Sequence, residues 1–391
     1  MKLLREIPVT GQRVLVRVDF NVPMDDAGRI TDDLRIRTAL PTLEYLLEHQ
    51  ARVVLCSHMG RPKGQRLEKF SLAPVAAYLG EILGRPVQMA PDCIGAPTLA
   101  MVNALEDGQV LVLENLRFHG EETSNDPEFA GALAELADVY VNDAFAVAHR
   151  CHASVVGVAA LVPVRAAGLL LEKELDMFHR SVAHPVRPLV AVVGGAKVSS
   201  KLGALKNMLA RVDRLIIGGA MANTFLKSQG VDVGGSLVED DLLETAADLL
   251  KLAREREVKV HLPVDVIAAE SFSVDAVCRR VTVQDIPPGW LALDIGPASA
   301  LLFTEALAGA RTIVWNGPMG AFEMDPFARG TMAMAHAIAT SHALSITGGG
   351  DSNAAVQKFG EADFISYMST GGGAFLMLME GRELPGVTAL R

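Results

Sequence analysis

The 391-residue chain predicts an α/β protein of two doubly wound, Rossmann-like parallel-sheet domains, joined by an interdomain helix with a cleft between them. Three observations carry that expectation. Short runs rich in Val, Ile and Leu alternate with longer helical patterns, and strands apolar on both faces belong to parallel sheets covered by helices on each side. The length exceeds one ordinary hydrophobic core and suits about two. The residues that follow the strands also change character along the chain, cationic in the first half and glycine-rich in the second.

Taken in order, residues 14–18, 53–56, 110–113 and 139–141 read as strands of the first half. Residues 189–193, 215–217, 258–262, 312–315 and 344–347 repeat the rhythm in the second. The helical stretch 169–182 and the Pro-containing segment 184–188 mark the boundary, so residues 1–168 form the first domain, 169–187 the interdomain helix and hinge, and 188–374 the second domain.

Composition narrows the function. Half the residues are hydrophobic and 21% are charged, which excludes a disordered chain. A net charge of -10 gives no general attraction to nucleic acid or anionic membrane, so neither is an expected partner and any anion site must be a local cluster. Cys56, Cys93, Cys151 and Cys278 show no close pair and no zinc-like spacing, as in a reducing compartment. Residues 1–19 lack a long apolar core, and the expectation is a soluble cytoplasmic protein without a membrane span.

In open α/β sheets ligands bind beyond the carboxyl ends of the strands. In the first half those positions hold Asp19 and Asn21, then His58, Gly60 and Arg61, then Asn115 and Arg117, then Asn142 and Asp143, with His149, Arg150 and His152 soon after. In the second half they hold Gly194 and Gly195, Gly218 and Gly219, Asn316-Gly317-Pro318, Gly348 to Ser352, and Ser369 to Gly373. Gly194-Gly195 ends a strand and opens a helix on which Lys197 and Lys201 lie one turn apart, an arrangement suited to nucleotide phosphates. Asp351 is the carboxylate placed to hold magnesium. Each feature has an ordinary reading when taken singly. Gly194 to Lys201 could be a solvated helix end, Arg117 or Arg150 a surface ion-pair partner, and Asp351 the N-cap of a helix before residues 354–359. The segregation by half favours two sites, one for a small multiply charged acid and one for a nucleotide.

Seven ordered motifs closely resemble the phosphoglycerate kinase family across nearly the whole chain: Arg17-Val18-Asp19-Phe20-Asn21-Val22-Pro23, His58-Met59-Gly60-Arg61-Pro62, Leu113-Glu114-Asn115-Leu116-Arg117-Phe118, Gly194 to Lys201, Trp315 to Gly320, Gly348 to Asp351, and Ser369 to Gly373. The resemblance implies reversible, magnesium-dependent phosphoryl transfer between 1,3-bisphosphoglycerate and ADP, giving 3-phosphoglycerate and ATP. It implies that Asp19, Phe20, Asn21, Arg35, His58, Met59, Gly60, Arg61, Arg117 and Arg150 bind the triose acid. For the nucleotide it implies Gly195, Lys197, Lys201, Asn316, Glu323, Gly349, Gly350, Asp351, Ser352, Gly371, Gly372 and Gly373, with Asp351 as the magnesium residue and Arg35 and Lys201 as the catalytic pair. The tail 375–391 is expected to return to the first domain, and Glu174 matches a family interdomain position. A monomer is expected, closing on its substrates by hinge bending.

Elementary chemistry agrees with the transfer. The carboxylate of 3-phosphoglycerate is ionised at neutral pH and needs no general base, so positioning and charge neutralisation are what the protein must supply. A nicotinamide dehydrogenase would need Gly-x-Gly-x-x-Gly after the first strand, which residues 18–23 lack. A Walker-type ATPase fails because no Ser or Thr directly follows Lys197 or Lys201. An inactive nucleotide-regulated scaffold would tolerate loss of the triose arginines, and all are present. Against the family pattern, Met59 replaces Leu, Ala146-Val147 replaces Gly-Thr, Cys151 replaces a small residue, Ser200 replaces Asp, and Ala220 replaces Gly.

Overall fold

The computed structural model describes every residue except Asp26. Two compact units are found, one of residues Met1–Leu175 with Glu383–Arg391, the other of Asp176–Arg382.

The first unit is built on β1 (Arg13–Arg17), β2 (Arg52–Cys56), β3 (Val87–Met89), β4 (Val110–Val112), β5 (Val139–Asn142) and β6 (Val164–Ala167). All pairings are parallel, in the order β3-β4-β2-β1-β5-β6. Val14, Leu15 and Val16 are fully buried, as are Val53, Val54 and Leu55 on the neighbouring strand, because helices cover both faces. Burying each such side chain contributes about 1.5–3 kcal/mol. The strand order reverses between β1 and β5, and that switch point opens a crevice at their carboxyl ends.

The second unit repeats the plan with β7 (Leu189–Val193), β8 (Arg214–Ile217), β9 (Lys259–His261), β13 (Thr312–Asn316), β14 (Leu344–Thr347) and β15 (Tyr367–Met368), in the parallel order β15-β14-β13-β7-β8-β9. Its switch point lies between β7 and β13. Two parallel-sheet α/β domains, as the sequence predicts, are therefore what the chain forms. It also carries an element that the sequence reading did not include. Strands β10 (Asp265–Ala269), β11 (Cys278–Thr282) and β12 (Leu291–Ile295) make an antiparallel sheet in the order β11-β10-β12, packed through Val266 and Ala268 onto Leu226, Val233, Val283 and Ile286. β11 reads Cys-Arg-Arg-Val-Thr and is largely exposed, so no apolar run announces it.

The helix Leu169–Phe178 runs across the division between the units. Its first turn is capped from the first unit. The amides of Leu170 and Leu171 donate to Asp143 Oδ1 at 2.9 and 3.2 Å, and that of Leu169 donates to Thr42 Oγ1 at 2.9 Å. Gly168 packs so tightly on Asp143 that a Cβ there would collide with the carboxylate. Burial pushes Asp143 up to about 7, against the pull of its hydrogen bonds to Thr42, Leu171 and Leu170.

The tail divides differently from the expected 375–391. Residues 375–382 group with the second unit, where Phe375 packs on Gly348 and Asn207 Nδ2 donates to the Met379 carbonyl at 2.6 Å. The helix Gly372–Met379 is apolar enough to be held by that core, so only Glu383–Arg391 group with the first unit. There the Gly386 amide donates to the Ala148 carbonyl at 2.8 Å, and Arg165 donates to the Arg391 carbonyl at 3.1 Å. Among the described residues no helix is long and apolar enough to cross a membrane.

Candidate functional site

The first unit gathers its polar residues at the switch point. Asp19 follows β1 and accepts from Arg35 at 2.6 Å, while its other oxygen caps the Asn21 amide at 3.2 Å. Asn21 in turn accepts from the Gly60 amide at 2.8 Å, which ties the loop after β1 to the loop after β2. Gly60 turns there with φ +59°, and a Cβ would strike Phe70. Phe20 is buried and its amide donates to Ser57 Oγ at 2.9 Å; Met59 is buried and exchanges hydrogen bonds with Asn115 at 3.1 and 2.8 Å. Phe20 and Met59 are therefore buried anchors of the loops after β1 and β2.

His58 is buried, and burial together with Arg17, Arg117, Arg35 and Arg150 holds its pKa well below the usual imidazole value. It is a neutral ring at pH 7. Arg17, fully buried, places Nη2 3.2 Å from His58 Nδ1, so Nδ1 is the acceptor and Nε2 carries the proton. The Asp19 oxygen 3.7 Å from that ring is therefore a polar neighbour rather than an ion-pair partner.

Arg61, Arg117 and Arg150 line one cavity of about 550 Å³ with Lys63, His119 and Thr123. Arg117 donates to the Gly60 carbonyl at 2.7 Å, but among the described residues its Nε and Nη2 are buried without an acceptor, as is Arg150 Nε. Burial and the cations Arg150 and Arg17 lower Arg117 to about 10. Buried guanidinium groups crowded this way want an anion, and their planar forks suit a phosphate.

The second unit gathers loops rather than side-chain cations. The Gly195 amide donates to the Pro318 carbonyl at 3.0 Å and the Gly219 amide to the Met319 carbonyl at 3.1 Å, zipping together the turns after β7, β8 and β13. Gly317 has φ +98°, and a Cβ there would collide with the Gly194 carbonyl and with Lys201 Nζ. Lys201 is folded inward, donating to the carbonyls of Gly194 at 2.5 Å and Asn316 at 2.9 Å. Burial lowers it to about 8, with Asp351 pulling the other way. Asn316 Nδ2 donates to Gly348 and Ser352 Oγ accepts from the Gly317 amide, both at 2.6 Å, so these two side chains brace the loops.

Gly349 ends the turn after β14 and precedes the helix Gly350–Lys358, while Gly371 precedes the helix Gly372–Met379. Gly372 packs so closely on Gly349 that an added Cβ would lie 3.2 Å from its Cα, which brings two helix N-termini to one corner. Gly350 and Gly373 are exposed there. Beside them a cavity of about 500 Å³ is lined by Gly195, Gly219, Leu237, Leu291, Pro318, Glu323 and Asp351. Lys197 is exposed outside that lining. Among the described residues the Asp351 carboxylate accepts no protein hydrogen bond, and an exposed, unshared carboxylate is the donor type a hard divalent cation takes.

The sequence reading overlooked two groups. Arg17 belongs to the support of the first site, donating to Ser154 Oγ at 2.8 Å, and Ser154 donates to buried Glu122 at 2.7 Å. The available signal was an arginine interrupting an apolar strand. Leu237, Phe272 and Leu291 to Leu293 line the second cavity from the antiparallel region. Its edge strand β11 carried no apolar run to announce it.

Comparison with known proteins gives one family. The profile of the family described as "Phosphoglycerate kinase" matches residues 4–382. The phosphoglycerate kinase of Desulfotalea psychrophila is 68% identical over 390 residues, covering all of both chains. That of Moorella thermoacetica is 56% identical over 387 residues, covering 99% of this chain and 98% of its own. The solved structure of phosphoglycerate kinase from Coxiella burnetii superposes with a TM-score of 0.89 at 44% identity, over 99% of this chain and 98% of its own. The crystal structure of the Pyrococcus horikoshii OT3 enzyme does so with a TM-score of 0.82 at 35% identity, over 100% and 98%. With a profile match and relatives that span the full chain, this protein belongs to the phosphoglycerate kinase family.

Proposed function

We propose that the chain carries out the family reaction, magnesium-dependent transfer of a phosphoryl group between 1,3-bisphosphoglycerate and ADP to give 3-phosphoglycerate and ATP, as a cytoplasmic monomer. The observation that carries the reading is the cavity lined by Arg61, Arg117 and Arg150, where buried nitrogens of Arg117 and Arg150 lack acceptors among the described residues. Three convergent cations match the fixed phosphate of a triose acid better than a single carboxylate.

In this reading Arg61, Arg117 and Arg150 hold the stable phosphate by bidentate forks. Asp19 keeps Arg35 in place by their 2.6 Å contact, and Asn21 sets Gly60. Neutral His58 offers Nε2–H to a substrate oxygen, a role open to it because Arg17 occupies Nδ1. Gly195, Gly219, Glu323 and Asp351 bound the nucleotide cavity, and the helix N-termini at Gly349 to Ser352 and Gly371 to Gly373 would offer amides to its phosphates. Lys197 extends from the same turn to a phosphate oxygen.

Asp351 would hold a magnesium ion, which would neutralise charge on the phosphate oxygens. Lys201 leaves the Gly194 and Asn316 carbonyls and follows the transferring group, and Arg35 is the second cation to neutralise the developing charge. The acceptor carboxylate attacks the γ-phosphorus, the bond from phosphorus to the ADP oxygen breaks, and no proton is abstracted. Transfer requires both substrates held in line at one moment. A coupled assay of ATP formation from 1,3-bisphosphoglycerate tests the proposal. The wild type turns over and R35A loses most of kcat; no ATP from the wild type would refute it.

A further inference from the structure

We propose that Asp92, Cys93 and His119 form a binding site for one borderline divalent metal ion of the zinc or cobalt class, separate from the nucleotide's magnesium. A carboxylate oxygen, a thiol sulfur and a ring nitrogen from these residues lie within 4.8 Å of one another. They come from two segments that are neighbours through the pairing of β3 with β4. Asp92 and Cys93 follow β3, and His119 ends the turn Leu116–Phe118 beyond β4. No spacing rule applied to the cysteines would find this set, because the fold rather than the sequence brings it together.

The three side chains are held before any ion arrives. His119 Nε2 faces Asp92 Oδ1 at 2.8 Å, and its ring packs against Phe129 with centroids 5.3 Å apart. The Cys93 amide donates to the same oxygen at 2.7 Å, and Thr98 Oγ1 donates to the Asp92 carbonyl at 3.0 Å. An Asp–His hydrogen bond alone would account for two members. The third, the Cys93 thiol, is fully buried and hydrogen-bonds the same carboxylate, so all three donors meet at one point beneath an imidazole and a carboxylate that solvent still reaches. Arg66 lies 3.8 Å from the outer oxygen, Oδ2, and leaves Oδ1 facing the cluster.

Ligand softness sets the metal class. Thiolate and imidazole select zinc or cobalt over magnesium and calcium, and three protein ligands leave the fourth tetrahedral position for water or a small anion. Binding forms the metal–sulfur bond as the thiol proton leaves to solvent, while the His119 proton shifts from Nε2 to Nδ1 so that Nε2 can ligate.

The test uses the full chain stripped with chelator and titrated with Co²⁺. The wild type binds one equivalent with a thiolate-to-cobalt charge-transfer band. Zn²⁺ displaces that band and Mg²⁺ does not. C93A lacks the band, whereas the double variant C151S/C278S, which removes the two exposed thiols, keeps it. D92N retains side-chain shape and weakens cobalt binding by more than about tenfold, which decides the matter even if C93A misfolds. Absence of the band in the wild type, its persistence in folded C93A, its loss in C151S/C278S, or unchanged affinity in D92N would each overturn the site.

Discussion

The two parallel-sheet units use the same topology to prepare for anions in opposite ways. At the switch point of the first, side chains supply the charge: Arg61, Arg117 and Arg150 share one cavity, supported by buried Arg17. At the switch point of the second, the backbone supplies it, through glycine turns and two helix N-termini, with Lys201 as the inward cation. Burial depresses both kinds of cation, but unequally in consequence. Arg117 at about 10 remains charged at neutral pH, whereas Lys201 at about 8 lies within reach of discharge. The difference teaches that a guanidinium suits a site that must grip a phosphate throughout, and an ammonium on a flexible stem suits one that must follow a moving group.

The sharpest way to break that comparison is at Lys201. K201A should lower kcat about 100- to 1,000-fold with a smaller change in KM for ADP, measured by steady-state kinetics. Equal losses in both would make the lysine an ordinary binding group. Its titration adds a second check. In the free enzyme, kcat/KM for ADP should fall as pH rises through about 8, since the ammonium then loses its proton, and the same limb should be missing from K201R.

Next in size is Arg117. R117K keeps a charge but loses the fork, and should reduce kcat/KM for 3-phosphoglycerate by about 10- to 100-fold while leaving KM for ATP nearly unchanged. A comparable shift in KM for ATP would show that the two units do not divide the substrates as proposed.

The capping carboxylate Asp143 gives a smaller effect, on stability. Its folded pKa is raised from 3.8 to about 7, so the folded state binds more protons than the unfolded one between those values. Its contribution is fully present below pH 3.8 and is lost as pH rises through 7. D143N keeps an oxygen for the Leu170 and Leu171 amides, and should melt with a flatter dependence between pH 4 and 7 than the wild type. Parallel melting curves would remove Asp143 from the account. The smallest effect is expected at Cys151, which is exposed beside Arg150: C151A should leave kcat within about twofold, and a larger loss would mean that the loop 146–152 depends on the thiol.

Much of this was readable in the sequence because the central strands are buried on both faces and therefore apolar throughout. Residues 14–18 and 189–193 are such strands. What escaped was whatever lacked that signature. β3 is three residues long with an exposed Gln88 at its centre, and β11 is nearly all exposed. The family resemblance implies that the tail 375–391 returns to the first domain, whereas residues 375–382 group with the second unit; the apolar character of 375–379 says that they are buried without saying against which core.

Residue by residue, the sequence determined the alternation of strands and helices, the acidic surface and the division of cationic from glycine-rich loops, since hydrophobic period and backbone freedom are local properties. Tertiary structure decided the rest: that His58 is neutral because it is buried, with four arginines around it, that Lys201 lies near discharge, that Asn316 and Ser352 brace loops, and that Asp92, Cys93 and His119 meet. Each depends on desolvation and on distances between segments far apart in the chain, and neither is a property of any one segment.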